Sequence, residues 1–540
     1  EKIALQQQNK DDFATPKISK REKQSSFQFD RLKWTLGLVV AALAFLLYSN
    51  TLSHEYALND YSLIKENQMT RKGTAALPEI FTSGYRAGYF IPDADTYRPL
   101  SKAMFAIEWE ISPDNASVSH FVNVFFYALT GLLLFFTLSN YLKSNLVLPF
   151  FISLLFIAHP IHTEVVANIK SRDEIMSFFF LILSLFTLHS SLTKKSKLNG
   201  VFSFVSFFLA LLSKESAITF LAVVPLVLYF FMKETPAKKI ISSTLMLAGA
   251  AVLFLLIRRS VVENIVGGDV SVADNLLVAA KSFEEKIATA IYIMGLYLKL
   301  FFFPHPLVSD YSYSQIPIIG MGDWRFLISI TVYLSLAIFA VMKLKERNTA
   351  ALGILFFFIT ASIVSNIFVT IGTSMGERLM YSPSLGFCIA AGFVIVKFLM
   401  PKQQNSFSAF SQMIKTNGKV FGAMGVILIL FSFKTITRNS DWKNNYTLYI
   451  TDVKLSPNSA RTHYYLGNYI TKDEFLKDKP ATERITFLNE GVLELKKAVS
   501  IYPLFADAYN QIGMAYFKKK EFDTSRVIKS KLLDTAAFFY

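Results

Sequence analysis

Cysteine is almost absent from this sequence. The one residue, Cys388, sits in an apolar run, so no disulfide can form within the chain. Histidine pairs with metal-protease spacing are absent too. His159 and His162 have Pro160 between them and no second pair elsewhere, so no metal site is assigned and a packing role at a helix end is expected. His305, between Pro304 and Pro306, reads as turn chemistry. No basic stripe occurs with interleaved aromatics, which argues against a nucleic-acid partner even at a formal net charge of +15. In a membrane protein lysine and arginine collect in cytoplasmic loops, and that is the plainer source of the excess.

What the sequence has in abundance is apolar side chains. Of its 540 residues 52% are hydrophobic and 52 are Phe, and runs of about 18 or more apolar residues recur, the mark of membrane helices. The start of the chain, 1–33, is polar and basic and reads as a poorly ordered cytoplasmic tail. A first apolar run, Trp34 to Asn50, follows it in the pattern of a signal anchor and not of a cleaved signal peptide. The positive-inside rule then places 51–120 on the far side of the membrane.

Further spans are expected at 121–142, 146–158, 175–192, 201–212, 217–232, 240–257, 326–342, 350–371, 379–400 and 420–433. The lysines of 194–197, 233–239, 343–347 and 402–419 fall on the cytoplasmic side only if 287–303, though apolar, does not cross. That segment is therefore expected to lie in the interface or to re-enter from outside, giving about 11 crossings. The fold class is all-α: a polytopic membrane domain over 34–437, then a polar helical domain over 438–540. In the latter, Pro457, His463, Leu466 and Gly467 correspond to Pro503, Tyr509, Ile512 and Gly513. A small residue after Leu or Ile is the mark of tetratricopeptide helix pairs, with an insertion near 472–482 lengthening the usual period. By parity this domain is extracytoplasmic.

Mixed charges recur on the extracytoplasmic side alone. Asn59, Asp60 and Arg98 lie in the first loop, with Asp93 and Asp95 between. His159, His162 and Glu164 open the second, which runs on to Lys170, Arg172, Asp173 and Glu174. Lys214 and Glu215 are in the third, and Glu377, Arg378 and Tyr381 in the last. Any one pair reads as an ordinary interfacial contact, but sets repeated on one face read as a site. An acid among several cations at a membrane surface suits a polyprenyl-phosphate sugar. Arginine or lysine would neutralise the phosphate leaving group, and a carboxylate would take the proton of an acceptor hydroxyl.

In this order along one chain, Asn59-Asp60, Tyr97 to Leu100, His159 to Glu164 with Arg172 to Glu174, Ser213 to Glu215, Pro304 to Pro317 and Glu377 to Ser384 resemble the TMTC family of transmembrane and tetratricopeptide-repeat protein O-mannosyltransferases. The resemblance implies a fold of the GT-C type and transfer of mannose or a similar hexose from a polyprenyl-phosphate donor to Ser or Thr of a protein held by the repeats. It implies Asp60 as the base, with Asn59 where the family has a further acid. It implies Arg98, Lys214 and Arg378 on the donor phosphate, supported by His162, Glu164, Arg172, Glu215, Glu377 and Tyr381. The base would fall to Asp93 or Asp95 if not to Asp60. A divalent cation is an open requirement, and membrane lipid is a further partner. The single cysteine and short repeat array favour a bacterial inner membrane with periplasmic repeats over the endoplasmic reticulum. Two rivals are kept: a non-catalytic scaffold whose repeats recruit partners, and a transporter, for which charges near the bilayer midplane and an internal repeat would be expected.

Overall fold

A computed structural model describes residues 20–90, 96–142, 146–262, 270–400, 407, 409–522 and 526–539. All regular structure among them is helical. In chain order the principal helices are α1 (Lys20–Tyr48), α2 (Pro99–Ile111), α3 (Ala116–Leu142), α4 (Val147–Ala158), α5 (Arg172–Lys194), α6 (Lys197–Ser213), α7 (Phe220–Phe231), α8 (Ala237–Val261), α9 (Phe283–Phe302), α10 (Trp324–Met342), α11 (Thr349–Ala361), α12 (Tyr381–Leu399) and α13 (Gly418–Asp441). The helical domain adds α14 (Asn445–Leu455), α15 (Ala460–Ile470), α16 (Ala481–Ile501), α17 (Ala506–Lys519) and α18 (Arg526–Phe539).

Seven of the described helices are long and apolar enough to cross a membrane, and a bent pair over 147–167 makes an eighth. Three shorter apolar helices, Lys197–Ser213, Glu215–Phe231 and Thr349–Ala361, occupy the remaining expected spans. One expectation is corrected. The basic segment 20–33 is not a loose tail, because α1 starts at Lys20 and carries that segment into the first span as one helix.

The membrane core is built from α1 with α3 to α8 and α11 to α13, packed through a continuous apolar cluster. Glycine sets the closest approach. A Cβ on Gly386 would stand 2.5 Å from the Gly353 carbonyl oxygen, and the reverse holds, so α11 and α12 touch backbone to backbone. α9 behaves differently from its neighbours. Thr289 bonds the carbonyl of Ile319 near its start. Tyr297 receives the Gly376 amide at 2.8 Å, and the Phe301 carbonyl meets His159 at 3.0 Å. All three partners lie in segments between helices, while Tyr333 of α10 donates to the Met294 carbonyl and Phe301 meets Phe357 of α11 and Phe387 of α12, so α9 also packs against those spans.

The segment after α9 reaches back over the helical domain. Ser314 donates to the Asn458 carbonyl at 2.9 Å and Ala460 to the Tyr313 carbonyl at 2.8 Å. Asp452 accepts the Ser309 amide at 2.8 Å and is paired with Arg438 at the end of α13. A cluster of Ala57, Ala167, Trp442, Leu448 and Leu466 fills the contact. Within the helical domain Gly467 packs on Gly491 and Leu495, which is why a small residue stands there.

Candidate active site

The segments that join spans at the helical-domain end hold their charges at short turns and helix starts. α4 stops at Ala158, and the His159 side chain accepts the Ile161 amide at 3.2 Å. Three tight turns lead to Arg172, where α5 begins. Asp173 and Glu174 thus occupy the first turn of a helix, where unpaired amides favour negative charge. Arg98 immediately precedes α2, whose Pro99 fixes the first helical residue. Lys214 is the extended joint after α6, and Glu215 opens the turn that follows it. Glu377 and Arg378 form the turn before α12.

These joints interlock as one ionic network. Arg98 donates to Asp173 at 2.7 Å and grips Glu215 with both Nε and Nη2. Lys170 reaches the same Asp173 at 3.0 Å. Lys214 is paired with Glu174 and Arg378 with Glu164, which also accepts the Arg378 amide at 2.9 Å. Lys170 lies within electrostatic reach of Arg98, Lys214 and Arg378, so the four cations share one place. The Tyr85 ring faces both Arg98 and Lys170. Asp173 is fully buried, whereas the Glu215 side chain is 38% exposed and is the most open carboxylate of the four. The Lys214–Glu174 pair lines a cleft whose walls mix Leu181, Phe220, Val364, Leu379 and Pro383 with the hydroxyl residues Ser177, Ser216, Thr219, Thr360 and Ser382.

Arg98, Lys214, Arg378, Glu164 and Glu215 are therefore brought together as the sequence suggests. Other residues go elsewhere. Asp60 is fully buried and holds two loops to each other: its oxygens accept the Ala57 amide at 2.9 Å and the Lys170 amide at 2.7 Å. Burial pushes its carboxyl up to about 7, against the opposing pull of those amides. It does not meet Arg98; it anchors the backbone of Lys170 from behind. Asn59 is exposed and meets Arg86 at 3.5 Å. Asp93 and Asp95 lie outside the described residues.

Arg172 turns inward, away from its neighbour Asp173, because successive residues on a helix point about 100° apart. It is saturated by Asn123, Glu108 and the Ser119 carbonyl, with its guanidinium over Phe105. Glu377 faces away from Arg378 and accepts the Val308 amide and the Tyr311 hydroxyl. His162 is core: it meets Tyr127 at 2.9 Å and Ser384 at 2.8 Å. Tyr381 packs on it, ring centroids 4.8 Å apart. His159 serves its own turn, the role expected of it. Among the described residues no group of three or more His, Cys, Asp or Glu is placed to hold a metal ion. The four network acids already have cationic partners, so the residues present do not offer a divalent cation a ready site.

Sequence reasoning assigned no role to Lys170, Asp173, Glu174 or Glu108. The first three stand in the quoted second loop, and the signal that separates Asp173 from Arg172 is helical phase. Glu108 sits in α2, where no local pattern distinguishes it.

Comparison with known proteins adds a family likeness. The family model described as Protein O-mannosyl-transferase TMTC, DUF1736 matches residues 269–337, which hold α9, the reach-back segment and most of α10. Human protein O-mannosyl-transferase TMTC1 is 26% identical, over 88% of this chain and 56% of its own length. A protein O-mannosyl-transferase of Caenorhabditis elegans is 27% identical, over 82% of this chain and 61% of its own. Human TMTC2 is 25% identical, over 83% and 61%. The chain thus resembles the TMTC proteins over most of its length, and spans about three-fifths of the length of these curated relatives.

Proposed function

We propose, from this likeness and from the ionic network, that the chain is an integral membrane glycosyltransferase acting at the helical-domain end of its bundle. The donor is a lipid-linked sugar of the polyprenyl-phosphate class, the acceptor a Ser or Thr hydroxyl of an extracytoplasmic protein. The observation that carries this reading is the ionic network of Arg98, Lys170, Lys214 and Arg378 with Asp173, Glu174, Glu215 and Glu164, whose Lys214–Glu174 pair lines a cleft of mixed polar and apolar side chains. A lipid phosphate has that amphipathic shape. In a single inverting displacement the acceptor oxygen bonds the anomeric carbon and the carbon–phosphate oxygen bond breaks. The cations take up the charge left on phosphate, and the hydroxyl proton passes to a carboxylate. Glu215 is the network acid with an open side. Asp60 would act as a positioning residue through Lys170. The helical domain, read as tetratricopeptide-like, would present the acceptor. The proposed compartment is a bacterial inner membrane with this domain in the periplasm, on the low cysteine content.

One observation favours the scaffold reading: both Asp60 oxygens are engaged and Asn59 offers no acid. Mass spectrometry of extracytoplasmic proteins separates the two readings. Hexose-sized masses lost on deletion of the chain and on Arg378→Ala support the transferase. Masses unchanged by deletion put the scaffold first.

A further inference from the structure

A second cleft lies outside the ionic network, between α9 and α10. Gly295, Leu298, Phe302, Ile328, Val332 and Tyr333 line it, with Lys299 at one end. Its floor is closed by the tight approach of Gly295 to Ser329, and the Tyr333 hydroxyl is used up on the Met294 carbonyl at 2.7 Å. What remains is an almost wholly apolar groove. It opens on a lipid-like surface of the bundle: α10 is a candidate span only 22% buried, and Ile328, Leu334, Ile338 and Met342 are exposed along it. α11 separates this groove from the first cleft, since Phe357 stacks on Tyr333 on one side while Thr360 and Val364 line the first cleft on the other.

The charge at its end is of one sign. His305 lies within electrostatic reach of both Lys299 and Lys434, and Lys434 Nζ stands 3.4 Å from His305 Nδ1. Among the described residues neither lysine is in an ion pair with a carboxylate. The acids within reach of Lys434 are Asp441 and Glu377; the first is taken by Arg438, and the second is fully buried and bonded by Val308 and Tyr311. This contrasts with the active-site network, where each cation has an acid. An apolar groove facing lipid, lined by the uncompensated Lys299 and with Lys434 beyond it at His305, is complementary to one kind of bilayer component.

We propose that the α9–α10 groove holds one anionic phospholipid of the surrounding bilayer, an acyl chain along Leu298, Ile328 and Val332 and the phosphate on Lys299 and Lys434. The inference stands apart from the transferase reading. It rests on groove shape and charge complementarity, and a lipid so placed would tie α9 to α10.

The test is native mass spectrometry of the full chain released from nanodiscs of phosphatidylcholine with one-fifth phosphatidylglycerol. The expected result is one retained phosphatidylglycerol. Lys299→Gln with Lys434→Gln should lower its retention about thirtyfold, each basic residue near an anionic lipid being worth about fivefold. Ile328→Trp, on an exposed position and so compatible with folding, should displace it with both lysines intact. Equal retention of phosphatidylcholine and phosphatidylglycerol, or retention indifferent to both changes, would overturn the proposal. So would displacement of the lipid by an equimolar polyprenyl phosphate, which would make the groove a second donor site.

Discussion

At the scale of single residues, burial decides what a charge can do here. Asp60 holds its proton more tightly folded, at about 7, than its ordinary carboxyl value of 3.8. The sign follows. Stability is fully present below that ordinary value and is lost as pH rises through about 7, where the buried group ionises. Asp60→Asn should remove this dependence, since the amide does not titrate. It should also cost roughly 1–3 kcal/mol, because its NH2 would face one of the two backbone amides that the carboxyl now accepts. Thermal unfolding in detergent between pH 5 and 8 reads both effects. A variant with normal stability and intact pH dependence would show that Asp60 is not the buried anchor described. Arg172 gives a companion case. Arg172→Ala leaves Glu108 without its cation and should cost about 3–5 kcal/mol, whereas Arg172→Met with Glu108→Leu should recover much of that loss. Unfolding midpoints of the two variants compare them directly.

At the scale of elements, the spans were legible in the sequence because hydrophobic runs are the strongest signal a membrane chain carries, and each expected span meets an apolar helix. Side-chain direction within a loop was not legible. The charged loops stand out in the sequence, yet Arg172 and Asp173 differ in fate only by helical phase, and Glu377 and Arg378 by which side of a turn they leave. Spacing alone does not set the register of a helix whose first residue is unknown. The surroundings of Asp60 were not legible for a related reason: an acid beside a span looks the same in sequence whether its oxygens meet substrate or, as here, backbone amides. The α11–α12 pair yields a further test. Gly386→Ala places a methyl 2.5 Å from the Gly353 carbonyl oxygen, so the helices must separate. A loss of about 1–3 kcal/mol is expected, read as a lowered unfolding midpoint, while Gly425→Ala, which meets nothing within 4 Å, should be neutral or slightly stabilising.

At the scale of the whole molecule, the helical domain is not tethered loosely. It is bonded through Ser309, Tyr313, Ser314 and Asp452 to the segment that follows α9, and through Arg438 to the last span. Sidedness can be checked with the chain's own chemistry, because Cys388 is buried and gives no labelling background. Lys281→Cys and Ile318→Cys, at the two ends of the α9 excursion, should react with an impermeant maleimide from one side of the membrane, and Lys345→Cys only from the other. Labelling of Lys281→Cys and Ile318→Cys from opposite sides would mean that α9 crosses.

The pairing of every network cation with a carboxylate has one more result. Such a place holds no vacant charge for an arriving phosphate. It can accept one only by exchange, with the newcomer taking over a guanidinium or ammonium that an acid held before. The acid set free then regains the proton affinity its partner had suppressed. On the proposed reading, loading the donor would in this way arm the group that deprotonates the acceptor, so that the empty site would be both neutral and unreactive, with readiness conferred by the substrate itself.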